Sequence, residues 1–238
     1  MKKNIQQWAL ASAGLFAAAN MAHAALVTYD SSPTLDALIP DGNPVGDAFS
    51  ASISGSSGAV QNVDVTLDIS GGYNGDLYGY LVYQPTGGSA TMAVLLNRVG
   101  TTSSNPVGYS NTGMDVTLSG MGVNDIHLYQ NFSPTFNGSG QLTGPGTFAA
   151  DGRAVNPSTV TDASPQTAGL TVFNGQSTAN GTWTLFLADM SAGGQSTLVS
   201  WDLDITVVPE PVTWALIGFA GVLGAAKFRS VRMVRKVA

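Results

Sequence analysis

Few side chains in this sequence are equipped for covalent or acid–base chemistry. The chain has 238 residues, no cysteine and two histidines, His23 and His127. Without a thiol there is no cysteine nucleophile, no thiolate metal ligand and no disulfide. A serine nucleophile needs an imidazole that is itself oriented by a carboxylate. Serine is plentiful, yet no Gly-x-Ser-x-Gly turn occurs. His127 stands in Asp125-Ile126-His127-Leu128. Read as a strand, this segment turns His127 away from Ile126 and Leu128, which predicts a solitary surface histidine. Two aspartates could serve a glycosidase, but nothing singles out a pair. The expectation is a protein that is not an enzyme.

The carboxylates suit a hard cation better than they suit catalysis. Calcium takes carboxylate and loop carbonyl oxygens. Asp76 follows Asn74-Gly75, and Asp189 precedes Met190-Ser191-Ala192-Gly193. These two are the candidate ligands for a calcium ion. The competing role for each is a turn residue that bonds its own backbone. Neither an EF-hand nor a nonapeptide repeat is present. Tyr73, Tyr78, Tyr80 and Tyr83 are aromatics able to stack on sugar rings, though alternation lets one alternate set face outward and sends the other inward.

The charges are distributed unevenly. Lys2 and Lys3 open the chain, and Lys227, Arg229, Arg232, Arg235 and Lys236 close it. Between these ends the bases are Arg98 and Arg153, against 14 aspartates from Asp30 to Asp204, a net of −12. So acidic a body is repelled by nucleic acid and anionic lipid, and nucleic acid is excluded as a partner.

Both ends read as addresses. Residues 1–24 have the form of a signal peptide: a lysine pair, an apolar run and Ala22-His23-Ala24 before a cut between Ala24 and Ala25. That cut also removes His23. At the other end Val208-Pro209-Glu210-Pro211 leads into 15 uncharged residues, 212–226, and then into the basic cluster. As a helix this stretch is ~22 Å long, short of a ~30 Å hydrocarbon core. Phe228 and snorkelling by Lys227 extend the span to about 212–228. The basic cluster stays cytoplasmic by the positive-inside rule, which leaves the body outside.

The ordered tail of Pro209-Glu210-Pro211, apolar helix and Arg-rich end resembles the PEP-CTERM sorting domain over residues 208–238. The resemblance implies recognition by an exosortase, a membrane-embedded cysteine-dependent transpeptidase, with loss of the tail near Pro209-Glu210-Pro211. It also implies export through the inner membrane, a transient stay there, and a final place on the cell surface or outside it.

The elements between the two ends must be strands. Val63, Val65, Leu67 and Ile69 alternate with Asp64, Thr66 and Asp68. Trp183, Leu185 and Leu187 alternate with Thr182, Thr184, Phe186 and Ala188, and Val199, Trp201, Leu203, Ile205 and Val207 with Ser200, Asp202, Asp204 and Thr206. Residues 77–83 read as a central strand. Asn74-Gly75, Pro85-Thr86-Gly87-Gly88, Asn174-Gly175, Asn180-Gly181 and Gly193-Gly194 punctuate the runs. Residues 135–167, rich in Gly, Pro, Ser and Thr, predict long loops. The expected fold is all-β, a jelly-roll-like β-sandwich over residues 25–207, with Trp183 and Trp201 at the core on adjacent strands.

Within the body, Asn74-Gly75-Asp76-Leu77, Leu81-Val82, Gln84-Pro85-Thr86-Gly87, Gly181-Thr182-Trp183-Thr184-Leu185, Asp189 and Leu198-x-x-Trp201-x-Leu203 resemble the P domain of subtilisin-like proprotein convertases, over about residues 61–206. The resemblance implies a jelly roll, and calcium bound through loop acids in some members. The family's role of steadying a protease domain has no counterpart, because this sequence contains no protease domain. The functional expectation is therefore a non-catalytic surface or matrix protein, adhesive or associated with exopolysaccharide. The alternatives are a lectin-like carbohydrate-binding module and a cryptic hydrolase.

Overall fold

The computed structural model describes residues 23–31 and 34–208. The signal peptide up to residue 22, the sorting motif Pro209-Glu210-Pro211, the expected span and the basic cluster lie outside the described residues. Among those described, no helix is long and apolar enough to cross a membrane.

The early strands are β1 (Ala25–Asp30), β2 (Ala37–Ile39), β3 (Asn43–Ile53) and β4 (Ala59–Gly71). A single turn of 3-10 helix, Asn74–Asp76, leads into β5 (Leu77–Pro85), which turns back as β6 (Thr91–Asn97). There follow β7 (Met114–Ser119), β8 (Asn124–Asp125), β9 (Thr135–Phe136), β10 (Leu142–Gly144) and β11 (Thr147–Ala149). The long strands β12 (Gly181–Asp189) and β13 (Ser196–Val208) close the body. Short 3-10 helices also cover Ile126–Phe132 and Leu170–Phe173.

The strands form two sheets. The larger runs β1-β13-β4-β7-β10-β9, with β2 also beside β13 and β11 beside β7 and β8. The smaller runs β3-β12-β5-β6. The fold is thus all-β and sandwich-like, and β5 is central, as its uniformly apolar sequence suggests. Two expectations need correcting. Residues 135–167 hold β9, β10 and β11, which lack a visible period because they are two or three residues long. β10 and β11 are fixed by parallel pairing to β7, as in Leu142 opposite Met114 and Phe148 opposite Leu118. Trp183 and Trp201 lie on consecutive strands of the chain but in different sheets.

Alternation decides what each sheet buries. Val63, Val65, Leu67 and Ile69 of β4 and Leu203, Ile205 and Val207 of β13 are all buried, facing Leu81, Tyr83, Leu185 and Leu187 of the smaller sheet in one core. At ~25 cal/mol per Å² of apolar surface removed from water, this burial is the main favourable term in a chain with no disulfide.

The outward face of the larger sheet sets like charges opposite one another. Asp204 faces Asp64, Asp115 faces Asp68, and Asp202 faces Asp30. Partial burial pushes the Asp204 carboxyl above its ordinary range, and Asp64 adds to this. Asp115 is raised likewise, by burial and then Asp68. A carboxyl raised on folding costs stability at neutral pH, and the cost is relieved as pH falls toward the ordinary carboxylate range of ~4. Asp204→Asn should therefore raise the unfolding midpoint at pH 7. The expected gain is about 0.2–1 kcal/mol, the scale of a cross-strand pair. The gain should shrink on acidification and in high salt, which screens exposed pairs. Equal gains at pH 7 and at pH ~4.5 would show that the pair is not the cause.

Candidate functional site

The two expected calcium ligands are brought together. Asp76 ends the helical turn Asn74–Asp76, and Asp189 ends β12, opposite Leu77 in register. The main chain ties them, Met190 N donating to Asp76 O at 2.7 Å. Both side chains are buried. Burial pushes the Asp76 carboxyl up, with Asp41 adding, while Ser191 and Arg98 partly offset it. Burial does the same to Asp189, assisted by the charges of Asp76 and Asp41. Arg98 already supplies the positive charge, its Nη2 lying 3.8 Å from Asp76 Oδ1 while its Nε donates to Gly75 O at 3.2 Å. Asp189 accepts from Ser191 N and from Ser196 Oγ, each at 3.2 Å. Among the described residues no group of three or more His, Cys, Asp or Glu is placed to hold a metal ion. Calcium takes six to eight oxygens, and the acids gathered here are Asp76 and Asp189, with the charge of Asp41 acting on both.

His127 overturns its expectation. It is fully buried rather than on the surface. The strand period does not apply, because Ile126–Phe132 is 3-10 helix, entered when Asp125 Oδ1 accepts from His127 N at 2.9 Å. The ring then points inward. Nδ1 meets Asp151 Oδ2 at 2.7 Å, and Nε2 meets the carbonyl oxygen of Thr101 at 2.9 Å. Both ring nitrogens therefore have a buried oxygen within hydrogen-bond distance.

Asp151 is the hub of this cluster. Its carboxylate also accepts from Asn97 N at 3.2 Å, Arg153 N at 3.3 Å and Arg153 Nη1 at 3.2 Å. Arg153 continues to Asp125, with Nη2 2.8 Å from Oδ2, and donates to Asp162 O at 3.1 Å. Burial works to lower the pKa of this guanidinium, but Asp125 and Asp151 outweigh it and hold the value above ordinary. The Asp–His contact has the first half of a hydrolytic relay. The second half differs: Nε2 is committed to a main-chain carbonyl, and the Thr101 hydroxyl, itself buried, lies 3.5 Å away.

The tyrosines separate by face. Tyr83 is buried, with its hydroxyl donating to Thr178 O at 2.7 Å. Tyr78 and Tyr80 lie half-buried on the outer face of the smaller sheet. Tyr80 stacks on Phe186 with centroids 4.5 Å apart, and Tyr78 packs edge-on to Phe186 at 6.3 Å. These rings pack on one another and present no flat open row. Tyr73 alone of the four is exposed.

No family model matches the chain, and no curated protein is significantly similar to it. Similar solved structures are the complex of the Aeromonas sobria serine protease with its chaperone ORF2, at 16% identity and TM-score 0.42, and the Aeromonas sobria serine protease, at 14% and 0.41. Each likeness covers 78% of this chain and 27% of the other, so the chain spans about a quarter of their length. At that distance the likeness bears on neither activity nor partners.

Sequence reasoning did not find Asp151, Arg153 and Thr101 as partners of His127. Arg98 and Arg153 gave the one available signal. They are the two bases of a body with 14 aspartates, and both prove to be partly or wholly buried against acids.

Proposed function

We propose that this chain is a non-catalytic protein exported through the inner membrane and sorted by an exosortase to the cell surface or the extracellular matrix. In this reading its jelly-roll-like, P-domain-like sandwich is adhesive or associates with exopolysaccharide. The observation that carries the reading is the fixed order of Pro209-Glu210-Pro211, apolar stretch and basic cluster. The fold supports it in one respect. β13 runs to Val208, where it still pairs with Ala59, and Val207 lies opposite Ala25. Ala25, the first residue after the expected cut, and Val208, the last described residue before the sorting motif, thus lie at one end of the larger sheet. Asp76 and Asp189 lie at the other, where β4 stops at Gly71 and β13 begins at Ser196.

Mass spectrometry of the surface fraction tests this. The mature protein should yield peptides from residues 25–207 and none from 214–238. Replacing Pro209, Glu210 and Pro211 with alanine should leave the chain in the inner membrane with its tail intact. Recovery of the whole tail from unaltered surface protein would overturn the sorting role.

A further inference from the structure

A cavity of about 200 Å³ opens between the turn after β7, the end of β11 and the approach to the helix Leu170–Phe173. Its volume is that of ~7 waters at ~30 Å³ each, below the range of drug-sized sites. The lining contains no charged side chain and no aromatic ring. Ala150 and Leu170, both buried, give it an apolar floor. Gln166 and Thr171 stand at its exposed edge, and neither side chain hydrogen-bonds another described residue.

Gly120, Gly122, Gly152 and Gly169, with Ser119 and Ala149, line the remaining wall, and two of these glycines are closely packed from behind. A Cβ on Gly122 would strike the carbonyl oxygen of Phe148 at 2.2 Å, and one on Gly120 would meet Asn62 Oδ1 at 2.6 Å. That Asn62 oxygen is itself buried without a partner. The turn also carries Met121 and Val123, 67% and 88% exposed.

The walls are held in place from behind by the ionic cluster. Gly152 lies between Asp151 and Arg153, and its carbonyl accepts from Thr167 N and Ala168 N, both at 2.9 Å. Arg153 bridges to Gln166 in antiparallel fashion, and its guanidinium grips Asp162 O. A ligand entering here meets a preformed surface, which lowers the ordering cost of binding.

We propose that this cavity binds one neutral hexose ring, a terminal or branching unit of a polysaccharide. The inference rests on the proposed association with exopolysaccharide and names its contact point. A pyranose offers hydroxyls that donate and accept, and a C–H face. The cavity offers the Gln166 amide, the Thr171 hydroxyl and a small apolar floor, at a size for a single ring. Anionic ligands are disfavoured. The lining holds no base, the body has 14 aspartates, and Arg98 and Arg153 are engaged with acids.

The test uses the full-length chain in detergent. Its probes are the methyl glycosides of glucose, galactose, mannose and glucuronic acid, read by saturation-transfer NMR and titration calorimetry. At least one neutral hexoside should bind with a roughly millimolar Kd, and the uronate more weakly. Gly169→Trp should block the site. Gly169 has φ −75°, which any residue adopts, and no atom lies within 4 Å of its would-be Cβ. Gln166→Ala removes one polar contact without filling space. Each variant should keep the unaltered melting temperature and lose at least about tenfold in affinity. Hexoside binding unchanged in both variants would overturn the site, as would no hexoside binding or a preference for the uronate. Co-sedimentation with purified exopolysaccharide separates the two levels. Polysaccharide binding that survives both variants leaves the adhesive reading standing and removes the cavity from it. No binding of polysaccharide by any form removes both.

Discussion

Trp183→Ala is expected to lower the stability of the body by about 3–5 kcal/mol, the range for emptying a packed aromatic site. A domain of ordinary stability has ~5–15 kcal/mol in all, so this one change removes roughly a fifth or more of it. At ~2–4 °C per kcal/mol for a domain of this size, the midpoint should fall by roughly 6–20 °C. The reason lies in what the ring joins. It stands on β12 opposite Tyr83 of β5 and stacks on that ring, with centroids 4.2 Å apart and planes 19° apart. Phe173 meets it edge-on at 5.0 Å. Its Nε1 donates to Ala179 O at 3.0 Å, and Tyr83 Oη donates to Thr178 O and Asn180 O. One side chain therefore binds two strands and the segment from Phe173 to Asn180. Trp183→Phe keeps much of the ring contact and loses the hydrogen bond, for about 1–3 kcal/mol. Trp201 is equally buried, but its Nε1 has no acceptor, and its ring partner is Tyr29 at 5.0 Å. Trp201→Phe should accordingly cost less than Trp183→Phe. Thermal and denaturant unfolding of the full-length chain in detergent supply the measurement. An unchanged midpoint for Trp183→Ala would mean that this ring is not in the core.

Much of the framework was legible because long strands announce themselves. β4, β12 and β13 each carry at least three inward apolar positions in alternation, and these are buried, except that a bulge between Leu198 and Ser200 buries Leu198 in place of the expected Val199 and that Ala188 at the end of β12 is buried although alternation turns it outward. The short strands β9 to β11 were not legible. Two or three residues cannot display a period, and their place depends on β7, some 20 to 35 residues earlier in the chain. Like-charge pairing was hidden for a related reason. Alternation puts Asp64, Asp115 and Asp204 on the outward face, but register alone sets Asp204 against Asp64 and Asp115 against Asp68. Asp76 and Asp189 were singled out from their turns, while the guanidinium of Arg98 beside Asp76 was not. His127 was misplaced because its segment is helical where strand alternation was assumed. Its partners Thr101 and Asp151 come from loops on either side, which carry no local signal linking them.

Asp151→Ala should be the most damaging single change outside the apolar core, at about 3–5 kcal/mol, the range for removing one member of a buried charged pair. The carboxylate collects four donors: the His127 ring, the main-chain N–H of Asn97, and two groups of Arg153. His127 and Asp151 are both fully buried, so water cannot replace what is lost. The imidazole would keep the Thr101 carbonyl on Nε2 and face an empty space at Nδ1. Arg153 would keep Asp125, which limits the loss on that side. His127→Leu removes the ring instead. It leaves Thr101 O without its donor, while Asp151 retains Arg153 and Asn97, so a smaller cost of about 1–3 kcal/mol is expected. The double variant distinguishes a network from two unrelated sites. Because the same Nδ1 contact is lost in either single change, the double variant should be less damaged than the sum, by roughly 0.5–3 kcal/mol. Urea unfolding of the unaltered chain, the two single variants and the double variant, all in detergent, closes the cycle. Hydrogen exchange at the Asn97 amide provides a local reading, since that N–H loses its acceptor with Asp151 and keeps it in His127→Leu. Strict additivity of the two changes, with Asn97 equally protected in all four forms, would mean that the Asp151–His127 contact does not hold this end of the sandwich together.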